Sequence, residues 1–128
     1  YIKKNKLEKH VKILGFKKNP YPYIKQSEVF LLSSKFEGLP NVLLESQVLK
    51  KYIISSNCPT GPKEILLNGR SGDLFKINDH KKLADLILKY KKNKFKNLQK
   101  IKIGYNYLSR YDFIKNLEKY DKTISQYL

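Results

Sequence analysis

The chain has 128 residues, 41% hydrophobic and 30% charged, with 27 basic against 11 acidic side chains and a net charge of +16. That length and hydrophobic share support a packed core and argue against a disordered chain. No apolar run approaches the ~20 residues that a membrane-spanning helix needs, and the single cysteine, Cys58, excludes an internal disulfide and fits a reducing, cytoplasmic setting.

The excess of lysine favours anionic partners: nucleic acid, acidic lipid or phosphorylated small molecules. The lysines are spread along the chain. Their densest block, KKNKFK at 91–96, reads as a solvated helix end.

In chain order, VKIL (11–14) before Gly15 predicts a short buried strand ending in a turn. Two prolines in NPYPYIKQS (19–27) forbid a central strand and leave one short helix. EVFLLSS (28–34) is a compact apolar run with polar bounds, the clearest strand of the chain. Gly38 and Pro40 then mark a turn into a helix over 41–51, with Pro40 suited to the first helical position. YIISS (52–56) is the next strand, CPTGP (58–62) a loop, and 63–69 a short helix stopped by Asn68 and Gly69. GDLFKI (72–77) predicts an edge strand. Asp79 can cap a helix whose apolar face is Leu83, Leu86, Ile87 and Tyr90. Two further helices follow, near 94–108 and 112–128.

Strands alternating with helices imply an α/β fold of Rossmann type: a parallel sheet flanked by helices, with a helical C-terminal tail. Three or four strands make a thin sheet, which leads us to expect further strands upstream of Tyr1. Ligands of such sheets bind beyond the carboxyl ends of the strands, which selects the loops 33–40 and 56–62.

The first loop and its helix carry SSKFEGLPNVLLES (33–46), with Glu37 and Glu45 separated by seven residues. A helix N-terminus offers unpaired amides and a positive dipole end to phosphate or sugar oxygens. Gly38 lets a ligand approach the backbone without a Cβ in the way. Glu45 lies one turn into the helix on the face of Asn41, and neither i−4 nor i+4 supplies a cation for it. Two carboxylates so placed suit the adjacent hydroxyls of a ribose or a hexose. Two glutamates at this spacing also arise by chance in many helices, and spacing alone leaves both readings open.

SSKFEGLPNVLLES resembles the signature of retaining glycosyltransferases of family 4, which carry Glu, seven residues, Glu in their C-terminal domain. SSNCPTGPKEILLNGRSGDLF (55–75) resembles the segment that follows it in bacterial transferases building polysaccharide or lipid-linked oligosaccharide. The lead-in VKILGFKKNPYPYIKQSEVFLLSS and the closing YLSRYDFIKNLEKYDKTI are similar as well, so the likeness covers about residues 7 to 125.

The resemblance implies a single domain, residues 1–128, forming most of the donor-binding domain of a two-domain GT-B enzyme. Glu37 would be its catalytic glutamate at the donor sugar, and Glu45 the holder of the ribose. Ser34, Gly38, Leu39, Pro40 and Asn41 would line the sugar and diphosphate, with Thr60 and Gly61 beside them. It implies transfer of a hexosyl or N-acetylhexosaminyl group from a UDP-sugar, with retention, to a saccharide or lipid-linked acceptor, with no resident cofactor. The setting would be the cytoplasm, including the inner face of the membrane, where anionic headgroups would attract the lysines. Ser46, Lys50 and Lys51 depart from the family's small residues at the end of this helix. The family's Arg and Lys that clamp the diphosphate, and its acceptor domain, belong upstream of Tyr1, so the fragment alone is expected to be inactive.

Other readings are weaker. Neither His10 nor His80 lies in a recognisable dyad with Cys58, and one Cys with two distant His makes no typical metal site. A basic nucleic-acid binder, or a non-catalytic membrane-docking module, would use the net charge and the ten tyrosines. The lysines form no single stripe interleaved with aromatics, which argues against specific nucleic-acid recognition.

Overall fold

The computed structural model describes residues 1–127. Its centre is a three-stranded parallel sheet in the order β1 (Val29–Leu32), β2 (Tyr52–Ser56), β3 (Asp73–Phe75). Val29 pairs with Tyr52 and Ile54 with Asp73. Around it stand α1 (Tyr21–Gln26), α2 (Asn41–Val48), α3 (Pro62–Ile65), α4 (His80–Lys92), α5 (Lys94–Asn106) and α6 (Phe113–Ile124).

Every residue of β2 is buried, because alternate side chains enter two different cores. Ile53 joins Leu43 of α2 with Ile65 and Leu66 of the α3 region on one face. Tyr52 and Ile54 join Phe75 and Leu86 of α4 on the other, with Ile101 of α5 packed against them. Helices therefore cover both faces of the sheet.

Polar contacts fix the outer helices. The Asp73 carboxylate forms an ion pair with Lys100 of α5 and accepts from the Tyr52 hydroxyl at 2.7 Å, while Lys100 also donates to the Gly72 carbonyl at 2.8 Å. Burial pushes the Asp73 carboxyl up, but the hydrogen bonds from Lys100 and Tyr52 and the nearby ammonium charges outweigh it and hold it below the usual carboxylate value. Gln47 of α2, itself buried, donates to the Ile65 carbonyl at 3.3 Å. Gly104 of α5 lies so close that a Cβ there would meet the Gln47 amide nitrogen at 2.9 Å.

Most elements match their sequence signals. Asp79 caps α4 by accepting from the Lys82 amide at 2.9 Å. Asn68 and Gly69 take left-handed backbone at φ 55° and 90° and end the α3 region, which is one α-turn followed by a 3-10 turn over Leu67–Gly69.

Five expectations need correction. VKIL (11–14) is not a strand, and Ile13 is 81% exposed. A short apolar run becomes a strand only where a neighbour takes up its backbone groups, and none of β1, β2 or β3 does so. Pro40 is the N-cap of α2, with backbone at φ −72° and ψ 92°, rather than its first helical residue. That helix ends at Val48, where Lys50 turns left-handed at φ 53° and the Lys51 amide bonds back to the Ser46 carbonyl at 2.9 Å. The edge strand is the shorter Asp73–Phe75, and the last helix spans Phe113–Ile124. The predicted end of that helix at Leu128 lies outside the described residues.

Candidate functional site

The strands are parallel, so β1 and β2 deliver their following loops to the same end of the sheet. The loops 33–40 and 56–62 meet there. The Thr60 hydroxyl donates to the Glu37 carbonyl. The Ser56 hydroxyl, at the end of β2, donates to the Ser34 carbonyl at 2.6 Å.

Gly61 sits directly against the first loop. A Cβ on it would collide with the Gly38 carbonyl oxygen and the Pro40 ring. Its backbone, at φ 83° and ψ −67°, is also one that only glycine adopts without strain. Gly61 therefore serves as the contact surface between the loops. At Gly38, by contrast, an added Cβ would meet nothing within 4 Å, and this glycine faces open space.

Glu37 is half-buried at this junction, with Gly38, Leu39 and Asn41 exposed beside it and Pro40 buried beneath. No side chain caps α2, and the Leu43 amide donates back to the Pro40 carbonyl at 2.9 Å, so the amides of Asn41 and Val42 remain for an external acceptor. One turn further on, half-buried Glu45 lines a cavity of about 350 Å³ with Tyr21 of α1 and with Val48 and Leu49. Among the described residues Glu45 has no ion-pair partner. The two glutamates thus belong to one helix-and-loop unit but stand at different places: Glu37 in the loop junction, its carbonyl held by Thr60, and Glu45 on the groove between α1 and α2.

Behind the second loop, a cavity of about 360 Å³ is lined by Pro59, Thr60, Gly61, Lys63, Glu64 and Asn68. Its floor is tied to the C-terminal region. Arg110 donates to the Glu64 carbonyl and to the Tyr111 hydroxyl, both at 2.6 Å, and Tyr111 reaches the Glu64 carboxylate at 3.3 Å. Burial, reinforced by Glu64 and opposed by Arg110, raises the Tyr111 phenol above its ordinary value and keeps it a donor at neutral pH. Cys58 is buried, its thiol 4.0 Å from the Thr60 carbonyl, a structural position. His80 is exposed at the start of α4.

All nine residues singled out from sequence thus fall at this end of the sheet or on α2. Sequence reasoning missed Ser56, Tyr21 and Lys63. Ser56 was legible as a hydroxyl at the carboxyl end of the central strand. Tyr21 was not, because its approach to Glu45 depends on how α1 packs against α2.

A model of the glycosyl transferases group 1 family matches residues 1–107. The chain belongs to that family. Among curated relatives, the Methanocaldococcus jannaschii protein described as an uncharacterized glycosyltransferase, MJ1059, is 46% identical over 65 residues, which cover 51% of this chain and 16% of that protein. The UDP-Gal:alpha-D-GlcNAc-diphosphoundecaprenol alpha-1,3-galactosyltransferase of Escherichia coli is 31% identical over 117 residues, 87% of this chain and 30% of its own length. The crystal structure of Anabaena HepE in complex with UDP matches with a TM-score of 0.87 at 20% identity, over 98% of this chain and 35% of that one. That last likeness is one of fold. The group 1 glycosyl transferase chain described here spans a third or less of the curated relatives.

Proposed function

We propose that this chain is the donor-binding part of a retaining GT-B glycosyltransferase of family 4 type, taking a UDP-linked hexose or N-acetylhexosamine. One observation carries the reading: Thr60 and Gly61 clamp the second loop onto the first, which presents Glu37 and the uncapped start of α2 at a common mouth. The diphosphate of a nucleotide sugar suits the free Asn41 and Val42 amides at the positive dipole end of α2. The sugar then lies over Gly38, where the space beside the backbone is open, with Glu37 against it. The ribose hydroxyls reach Glu45, and the Tyr21 side of that groove offers an aromatic surface to the base. Separate places for the two glutamates fit a ligand with a sugar at one end and a nucleoside at the other.

The acceptor, a saccharide or a lipid-linked saccharide as in the E. coli relative, would be bound by the part of the enzyme that this chain does not span. The same part would supply the cations that clamp the diphosphate, and the enzyme would work from the cytoplasmic side of a membrane. No resident cofactor is required by this scheme.

Titration calorimetry of the chain with UDP, and with UDP-sugars, tests it. Removing the charge in Glu45→Gln deletes a charge-assisted hydrogen bond of about 1.5–3 kcal/mol, so the Kd for UDP should rise ~10- to 150-fold. In an enzyme carrying both domains, Glu37→Gln should lower turnover more than donor affinity. UDP binding of equal strength in wild type and Glu45→Gln refutes the ribose assignment.

A further inference from the structure

From Leu86 to Tyr111 the sequence has seven lysines and one arginine and no Asp or Glu. Five of those lysines, Lys89, Lys91, Lys92, Lys94 and Lys96, surround the corner where α4 hands over to α5. This corner is built rather than frayed. Asn97, buried, donates to the Tyr90 carbonyl at 2.7 Å, and the Asn97 amide bonds to the Asn93 carbonyl at 3.1 Å. Among the described residues the only ion pair is that of Lys100 with Asp73, so these five ammonium groups are not neutralised by pairing.

Large apolar side chains stand among the charges. Phe95 is 75% exposed and Leu98, one turn along the same side of α5, is 63% exposed. Leu98 also borders a cavity of about 360 Å³ whose rim carries Lys91, Lys94 and the single acid Glu28, and whose wall is Tyr90 and Ile101. The Tyr90 hydroxyl donates to the Glu28 carbonyl at 3.3 Å, which places the corner at the start of β1. That is the end of the sheet opposite the loops 33–40 and 56–62.

We propose that this corner docks on the surface of an anionic bilayer, with Phe95 and Leu98 entering the headgroup layer and the five lysines meeting lipid phosphates. Five clustered lysines, which outweigh Glu28 at the cavity rim, match a negative surface. Exposed Phe and Leu within the cluster add burial in the interface, which a purely electrostatic nucleic-acid face would not use. The inference rests on charge and exposure at this corner and not on the donor-site reading. Because the corner faces away from the donor loops, docking and UDP binding do not compete.

The test is co-sedimentation of the full chain with phosphatidylcholine vesicles carrying about 25% phosphatidylglycerol, beside neutral vesicles and a short DNA duplex. Each lysine near such a surface contributes roughly a fivefold gain in partitioning, so the double reversal Lys91→Glu with Lys94→Glu should lower anionic-vesicle binding by at least ~25-fold. Phe95→Ser, which keeps the charge, should lower it several-fold while leaving DNA retention unchanged. The control reversal Lys3→Glu with Lys4→Glu, outside the corner, should cost much less than the corner pair. UDP affinity should be the same in all of these variants. Equal binding to neutral and anionic vesicles, an equal loss from the control pair, or an unaltered Phe95→Ser variant each overturns the proposal. So does duplex binding that outlasts vesicle binding as salt rises.

Discussion

Replacing Gly61 by alanine attacks the contact that joins the two loops. The new methyl would overlap the Gly38 carbonyl oxygen and the Pro40 ring, while the backbone at φ 83° and ψ −67° would have to be held by a residue with a Cβ. Backbone strain of this kind costs about 1–3 kcal/mol, and forced overpacking about 1–3 kcal/mol more. A rigid site would thus lose about 2–6 kcal/mol. The loops relieve part of that by parting, which breaks the hydrogen bond from Thr60 to the Glu37 carbonyl. Urea unfolding should therefore show a loss toward the lower end, about 2–3 kcal/mol, and calorimetry should show UDP affinity falling at least ~10-fold. Gly38→Ala is the matched control. Its Cβ meets no protein atom within 4 Å, so stability should stay within about 0.5 kcal/mol, while UDP-sugar binding weakens because the methyl takes ligand space. A Gly61→Ala protein with wild-type stability and wild-type UDP affinity would refute the joined-loop geometry.

Lys100→Met should cost about 1.5–3 kcal/mol by urea unfolding, since it leaves the Asp73 carboxylate with only the Tyr52 hydroxyl. The folded-state pKa of Asp73 is depressed, so its stabilising contribution is complete above the ordinary carboxylate value. That contribution fades as pH falls from about 4 through the lower folded value, and wild type should lose stability more steeply than Lys100→Met in that acid range. Gly104→Val should cost about 1–3 kcal/mol by forcing Gln47 from its buried place between α2 and α5. UDP binding of its folded fraction should be retained, because the change lies away from the loops. Arg110→Ala should remove about 1.5–3 kcal/mol of charge-assisted bonding to the α3 region, read as a lower unfolding midpoint that Arg110→Lys recovers only in part.

What the sequence made legible was whatever local pattern or backbone chemistry decides. β2 is read from YIISS because a strand buried on both faces shows a continuous apolar run, here Tyr52, Ile53 and Ile54, rather than alternation. The helix α4 follows from a cap and a periodic face, Asp79 with Leu83, Leu86, Ile87 and Tyr90. Asn68 and Gly69 end a helix because their residue types tolerate left-handed backbone. VKIL carries the same local pattern as a strand yet forms none, because strand structure belongs to a pair and no described strand lies beside it. Glu45 is a similar case: its position on α2 follows from spacing, but the groove it faces depends on where α1 packs. The lysines around the α4–α5 corner look like an ordinary solvated helix end until the exposure of Phe95 and Leu98 is known.

Under the proposed function, loops 33–40 and 56–62, with α2, bind a uridine nucleotide. Backbone amide shift mapping of the isotope-labelled chain during UDP titration measures it directly. Saturable shifts gathered at Ser34–Glu45 and Thr60–Glu64, with Tyr21 among them and Lys89–Leu98 unmoved, are the predicted result. Shifts centred on the lysine-rich corner, or none that saturate, would contradict it.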